Sequence, residues 1–277
     1  MGRFVALLLL AFVVGRFVAL LAQPILRREP VVRPFRRATV LTAVTESPVA
    51  ERVVFWDFDG TLARRDGLFA GALIDALRQV DASIAVDRED VRPHLRSGFP
   101  WHTPDVTTSP LAPQEWWERL RPVFERAYRA CGVGDGVAVA AASASGVATQ
   151  FYRRDAWELI DGAADALDLV RYAGYANVIL SNHGPELPAL IDDLGLHVDL
   201  TITSAAVGIE KPNPALFRYA LEAADAGSDT WMIGDNPIAD VQGAQALGIR
   251  ALLADGAYPD SRGVTVLEAA RIVAASA

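Results

Sequence analysis

The chain has 277 residues, of which 52% are hydrophobic and 22% charged, with a formal net charge of −8. That length and composition fit one large or two modest globular domains and exclude a disordered or collagen-like chain. The acidic balance argues against a nucleic-acid partner, and the single cysteine, Cys131, excludes an internal disulfide framework or a paired-cysteine zinc site.

Residues 1–50 differ from the rest. They carry seven arginines against two acids, and the stretch GRFVALL occurs twice, at 2–8 and 15–21. An apolar run over 4–22 is close to the ~20 residues that a membrane helix needs, but Arg16 inside it costs roughly 2.5–3.5 kcal/mol. Three readings compete: a membrane anchor over 4–22, a cleaved secretory signal, or an extension from a start assigned too far upstream. Leu20-Leu21-Ala22 is a poor cleavage site, and the arginines at 27, 28, 33, 36 and 37 oppose export. All but the secretory reading leave the main domain cytoplasmic. Residues 23–50, with four prolines, read as a linker.

From residue 51 the pattern changes. Short apolar runs at 52–56, 177–180, 200–203, 230–233 and 249–253 are too short for helices and apolar on both faces, as buried parallel strands are. Helical periodicity fills the gaps, including 163–173, 214–224 and 238–247. The alternation predicts an α/β fold, a doubly wound Rossmann-like parallel sheet. About 120 residues separate the first two strands, far more than one crossover needs. Helical patterns at 67–80, 114–131 and 137–157 predict an inserted, mostly helical subdomain, with a proline-rich loop over 98–113 opening on Trp101 and His102. The expected boundaries are 51–64 and 158–277 for the core and 65–157 for the insertion.

Ligands of such sheets gather at the carboxyl ends of the strands. Four segments converge there: Asp57-Phe58-Asp59-Gly60-Thr61, Ser181-Asn182, Lys211 in Glu210-Lys211-Pro212, and Gly234-Asp235 with Asp240 five residues on. Crowded carboxylates repel one another unless a cation lies among them, and oxygen donors without His or Cys point to Mg²⁺. A hydroxyl, an ammonium and strand-end N–H groups suit a phosphate. Lys211 is also the only lysine beside 25 arginines, so its position calls for an ammonium and not a guanidinium fork.

These four segments, in this order and over about 51–255, resemble the motifs of the haloacid dehalogenase superfamily of hydrolases. The resemblance implies a nucleophilic Asp57 that also binds Mg²⁺, and an acid/base Asp59 whose backbone carbonyl reaches the same ion. It implies Ser181, Asn182 and Lys211 as phosphate holders, with Asp235 and Asp240 completing the metal site. The insertion would be a mobile cap. Dehalogenases of the family lack the second aspartate, and its phosphonatases use a cap lysine that this chain does not have. The resemblance therefore implies a Mg²⁺-dependent phosphatase of a small phosphorylated molecule, acting through an aspartyl-phosphate. A phosphomutase on the same core, or a catalytically idle module tethered at a membrane, are the alternatives. His183, next to Asn182, reads as structural or solvent-facing, and Arg64 and Arg65 as hinge charges or anion contacts. Oligomeric state is not legible.

Overall fold

The computed structural model describes residues 51–256 and 263–277. The readings of 1–50 as anchor, signal or linker lie outside the described residues. Among those described, no helix is long and apolar enough to cross a membrane.

Five parallel strands form the main sheet: β1 (Arg52–Trp56), β4 (Ala176–Ser181), β5 (Leu200–Thr203), β6 (Asp229–Gly234) and β7 (Arg250–Leu253), in the order β5-β4-β1-β6-β7. β1 is central, paired with β4 on one side and β6 on the other. Its side chains alternate between two hydrophobic layers, as a period of two requires. Val53 and Phe55 pack with Leu216 and Phe217 of one helical layer. Val54 and Trp56 join the opposite layer with Leu167, Val170, Ala269 and Val273. Both faces are thus covered by helices, which is why each strand reads as continuously apolar.

Between β1 and β4 the chain makes a two-stranded antiparallel ribbon, β2 (Ala63–Arg65) and β3 (Trp157–Leu159), which carries a helical segment. Its longer helices are α1 (Leu68–Val80), α3 (Pro113–Ala130), α4 (Asp135–Ala141) and α5 (Ala144–Phe151), with a single turn, α2 (Arg88–Val91), after α1. α3 starts with Pro113 at its first position, and Glu115 accepts the Ala112 N–H at 3.0 Å. Trp116, Leu120, Val123, Phe124 and Ala127 recur at helical spacing and are buried, and Tyr128 of the same helix donates to the Leu73 carbonyl of α1 at 2.6 Å.

Two segments depart from the periodicity. The apolar pattern over 137–157 predicts one helix, but the structure has α4, then α5, then a strand. Ser143 makes the break: its Oγ accepts the Gly146 N–H and caps α5. Trp157 is drawn into β3, where its indole donates to the Phe151 carbonyl at 2.7 Å. The helix expected over 238–247 is a π-helical turn, Pro237–Gln242, followed by a short α-helical turn, Gly243–Gln245.

A loop of the helical segment is fastened to the core. Thr108 N–H donates to Gly208 O at 2.8 Å, and Asn213 Nδ2 donates to Pro104 O at 3.0 Å. The two core partners flank Lys211.

Candidate active site

Asp57 is the first residue past β1, and its N–H still donates to Ile233 O of β6 at 2.9 Å. The chain then turns sharply. Phe58 is fully buried, and its carbonyl accepts from the N–H groups of Thr61, Leu62 and Ala63. Gly60 sits at φ 83°, a left-handed position that glycine takes without strain. The turn brings Asp59 back beside Asp57, two side chains that would point apart along a continuing strand.

Asp57 is held through one oxygen. Ser181 Oγ, at the end of β4, donates to Oδ1 at 2.8 Å, and Lys211 Nζ donates to the same atom at 2.8 Å. Neither bond uses Oδ2. Lys211 also donates to Asp240 Oδ1 at 2.5 Å and to Leu180 O at 2.7 Å, so its ammonium is saturated by three acceptors. Burial pulls the Lys211 pKa down, but Asp240 and Asp57 outweigh it and hold the group above its ordinary value. Asn182 clamps the backbone of Lys211 from both sides, donating to its carbonyl at 2.9 Å and accepting its N–H at 2.6 Å.

Asp235 follows β6, and Asp240 lies on the π-helical turn. Asn236 caps that turn by accepting the Ile238 and Ala239 N–H groups. Asp240 Oδ2 accepts the Asn236 N–H at 3.0 Å, which points the carboxylate inward. Gly234 leaves room for it: a Cβ there would lie 2.2 Å from Asp240 Oδ2. The extra residue of the π turn is the local cost of this inward aim, and such turns concentrate at functional sites.

Asp57, Asp235 and Asp240 are buried, and one carboxylate oxygen of each lies within 4.8 Å of the others. An all-oxygen, three-carboxylate donor set fits Mg²⁺. Asp59 is not in that trio by its side chain. Its carboxyl is raised well above the usual range by burial and by the negative charges of Asp57 and Asp235, with Lys211 offsetting part of the effect. The structure therefore brings together Asp57, Asp59, Ser181, Asn182, Lys211, Asp235 and Asp240, all lining one cleft of about 620 Å³.

Arg64 and Arg65 do not line that cleft. They border a separate cleft of about 900 Å³ on the ribbon, where Arg64 pairs with Glu158, and the buried Arg65 pairs with Asp75 at 2.8 Å.

Sequence reasoning left His183 without a role. Its side chain is buried, and Tyr152, from the residue after α5, meets its Nδ1 at 2.9 Å. Its Nε2 has no hydrogen-bond partner and lies 3.6 Å from Asp59 Oδ1, itself unpartnered. Burial lowers the His183 pKa to about 4 and raises that of Tyr152, so the ring is neutral and the phenol keeps its proton. Where the Tyr152 hydroxyl donates to Nδ1, the ring hydrogen sits on Nε2, facing Asp59; the Gly184 carbonyl, 3.4 Å from Nδ1, would hold the other tautomer. The only signal in the sequence was the adjacency of His183 to Asn182.

A family model described as haloacid dehalogenase-like hydrolase matches residues 51–248. The mouse protein named haloacid dehalogenase-like hydrolase domain-containing protein 3 is 33% identical over 156 residues, covering 54% of this chain and 59% of that protein. A phosphoserine phosphatase of Thermus thermophilus is 40% identical over 114 residues, covering 39% of this chain and 46% of that one. The matches thus span about half the length of these curated relatives. The crystal structure of a HAD phosphatase from Thermococcus onnurineus superposes with a TM-score of 0.55 at 18% identity, over 80% of this chain and 97% of that one, a likeness of fold.

Proposed function

The chain belongs to the haloacid dehalogenase-like hydrolases, and from that premise we propose that it is a Mg²⁺-dependent phosphatase of a small phosphomonoester. The observation that carries this reading is the state of Asp57: one oxygen is held by Ser181 and Lys211, and the other is engaged by neither. A carboxylate fixed in this way is aimed as a nucleophile. The phosphatase-named relative supports the choice of ester.

In the first step an Asp57 oxygen forms a bond to phosphorus, and the bond from phosphorus to the substrate alcohol breaks. Asp59, whose burial favours the protonated form, gives its proton to the departing oxygen. In the second step water attacks the phosphorus of the aspartyl-phosphate, and Asp59 takes the proton from that water. The bond to Asp57 breaks, which returns the free carboxylate and inorganic phosphate. Ser181 Oγ and the Asn182 N–H hold the phosphoryl oxygens throughout, and the Lys211 ammonium neutralises Asp57 and the phosphate by its charge. Asp57, Asp235, Asp240 and the Asp59 backbone carbonyl would hold Mg²⁺. Both Asp240 oxygens already accept hydrogen bonds, which favours its contact through water. Bound Mg²⁺ supplies charge neutralisation for the phosphate and the crowded carboxylates.

Residues 65–157 act as the cap over this core, excluding water from the reacting groups. His183 and Tyr152 position Asp59. The arginines at 27, 28, 33, 36 and 37 oppose export of the domain C-terminal to them, so the catalytic domain is assigned to the cytoplasm.

The test is phosphate release from a panel of phosphomonoesters by the full chain, in Mg²⁺ and in EDTA. Release is expected only with Mg²⁺, and Asp57→Asn is expected to abolish it while keeping the wild-type circular dichroism spectrum. Activity retained in the folded variant would refute the role of Asp57.

A further inference from the structure

The charged floor of the 620 Å³ cleft is fully committed to the phosphate and the metal, and its upper wall is of a different character. Leu68, Phe69, Trp101, His102 and Pro104 come from the helical segment, and Ile238 comes from the turn after β6, so the wall is mostly apolar with one imidazole in it. Trp101 stacks on Phe99 with ring centroids 4.5 Å apart and planes 15° apart, and its centroid lies 5.6 Å from that of Phe69. Phe69 is tilted 40° to Trp101, so the flat element of the wall is the Trp101 indole, backed by Phe99.

Two of the wall residues are left in water. Among the described residues eight large apolar side chains are exposed, and Leu68 (36%) and Ile238 (58%) are two of them. Both line this cleft, one from the helical segment and one from the core. Leu68 is also held at φ 45°, a left-handed conformation that a leucine adopts only under constraint. Strained residues of this kind concentrate where a side chain must be presented to a ligand.

The cations of the cleft are already spent. Lys211 is saturated by Asp57, Asp240 and Leu180 O, no arginine among the described residues lines the cleft, and burial lowers the pKa of His102, which favours its neutral ring. A carboxylate or second phosphate on the substrate would face the apolar wall, where an unpaired charge is costly.

We propose that the alcohol half of the substrate is uncharged, apolar and flat: the enzyme hydrolyses the phosphomonoester of an aromatic or similarly planar alcohol. The ring lies on the Trp101 panel between Leu68 and Ile238. The cleft volume is that of a site for one small molecule. This inference rests on the phosphatase reading.

The experiment compares kcat/KM for 2-phenylethyl phosphate, phosphoserine and phosphoglycolate with the full chain in Mg²⁺. All are esters of aliphatic alcohols, so differences report the wall more than leaving-group reactivity. The phenylethyl ester is expected to lead by about tenfold or more, the scale on which apolar pockets discriminate. Trp101→Ala should reduce that lead to below about threefold, the loss of one aromatic contact. Ile238→Lys changes an exposed residue without disturbing the core. It should move the preference toward phosphoglycolate by giving the carboxylate a partner. A wild-type preference for phosphoserine or phosphoglycolate would overturn the inference and leave the phosphatase reading intact. So would an undiminished phenylethyl preference in both variants. Release of phosphate from none of the three, nor from any other phosphomonoester, would refute the phosphatase reading and this inference with it.

Discussion

The sole lysine of the chain can be tested against both of its alternatives. Lys211 Nζ reaches Asp57 at 2.8 Å, Asp240 at 2.5 Å and the Leu180 carbonyl at 2.7 Å, and its side chain is 2% exposed. Lys211→Met keeps the length and apolar stem but removes the charge. Two carboxylates then lie together in a buried site with no cation, and a backbone carbonyl loses its donor. Breaking a buried ion pair from one side costs about 3–5 kcal/mol. In a domain of this size each kcal/mol lowers Tm by roughly 2–4 °C, so Tm should fall by about 6–20 °C. Added Mg²⁺ should raise the Tm of this variant more than that of wild type, since it supplies the missing positive charge. Lys211→Arg keeps the charge, but three acceptors converging on one nitrogen do not match a planar fork. Its activity should fall by about 10²–10³-fold, as for loss of a transition-state donor. Differential scanning fluorimetry in EDTA and in Mg²⁺, with kcat/KM for each variant, checks both. A Lys211→Met Tm within about 2 °C of wild type, or a Lys211→Arg variant with more than about a tenth of wild-type activity, would refute the reasoning.

Other residues carry three further predictions. Glu210 is 4% exposed, and burial raises its pKa from 4.5 to about 7. Between those values the unfolded chain releases a proton that the fold retains, so stability falls as pH rises, by roughly 3 kcal/mol across the window. Glu210→Gln should match wild-type Tm near pH 4 and exceed it near pH 8; an advantage independent of pH would exclude the carboxyl as its source. His183→Leu should lower kcat/KM for an alkyl phosphate by about tenfold and that for 4-nitrophenyl phosphate little, because a good leaving group needs no acid. His183→Gln, which restores an N–H toward Asp59, should recover much of the loss, and Tyr152→Phe should give a smaller defect of the same kind; equal losses on both esters would mean that His183 only supports packing. Gly234→Ala would place a methyl 2.2 Å from Asp240 Oδ2, so Mg²⁺ affinity measured by calorimetry should drop at least tenfold, and unchanged affinity would remove Asp240 from the metal site.

The strands were legible because β1 and its neighbours are covered on both faces, so burial alone marks them in the sequence. β1 and β5 start and stop where the apolar runs do, and the others differ by a residue or so at their ends. The four strand-end segments were legible because a parallel sheet gathers its carboxyl ends. The β2/β3 ribbon was not: three residues carry no period, and Arg64-Arg65 read as hinge charges or anion contacts, although Arg65 is buried against Asp75. The break between α4 and α5 rests on one serine in an alanine-rich run. The π turn has no local signature, because the distant Lys211 and the geometry of Gly234 require it. His183 was missed for the same reason: what distinguishes it is Tyr152 on one side and Asp59 on the other, and neither is near it in the chain.

The fastening of the 98–113 loop bears on how such enzymes can be recombined. The helical segment is joined to the core by two covalent passes, through β2 and β3. Thr108 on Gly208 and Asn213 on Pro104 add a non-covalent attachment, on either side of Lys211 in sequence. The helices are seated on the core as well, through Trp117 donating to Glu186 at 3.0 Å and Tyr152 meeting His183 at 2.9 Å. Gly208 is shaped for that loop, since a Cβ there would lie 2.0 Å from Thr108 O. A chimaera cut only at the ribbon would bring in a foreign loop with no seat on this core. The unit that can be exchanged between relatives is the helical segment together with the 208–213 loop on which it rests.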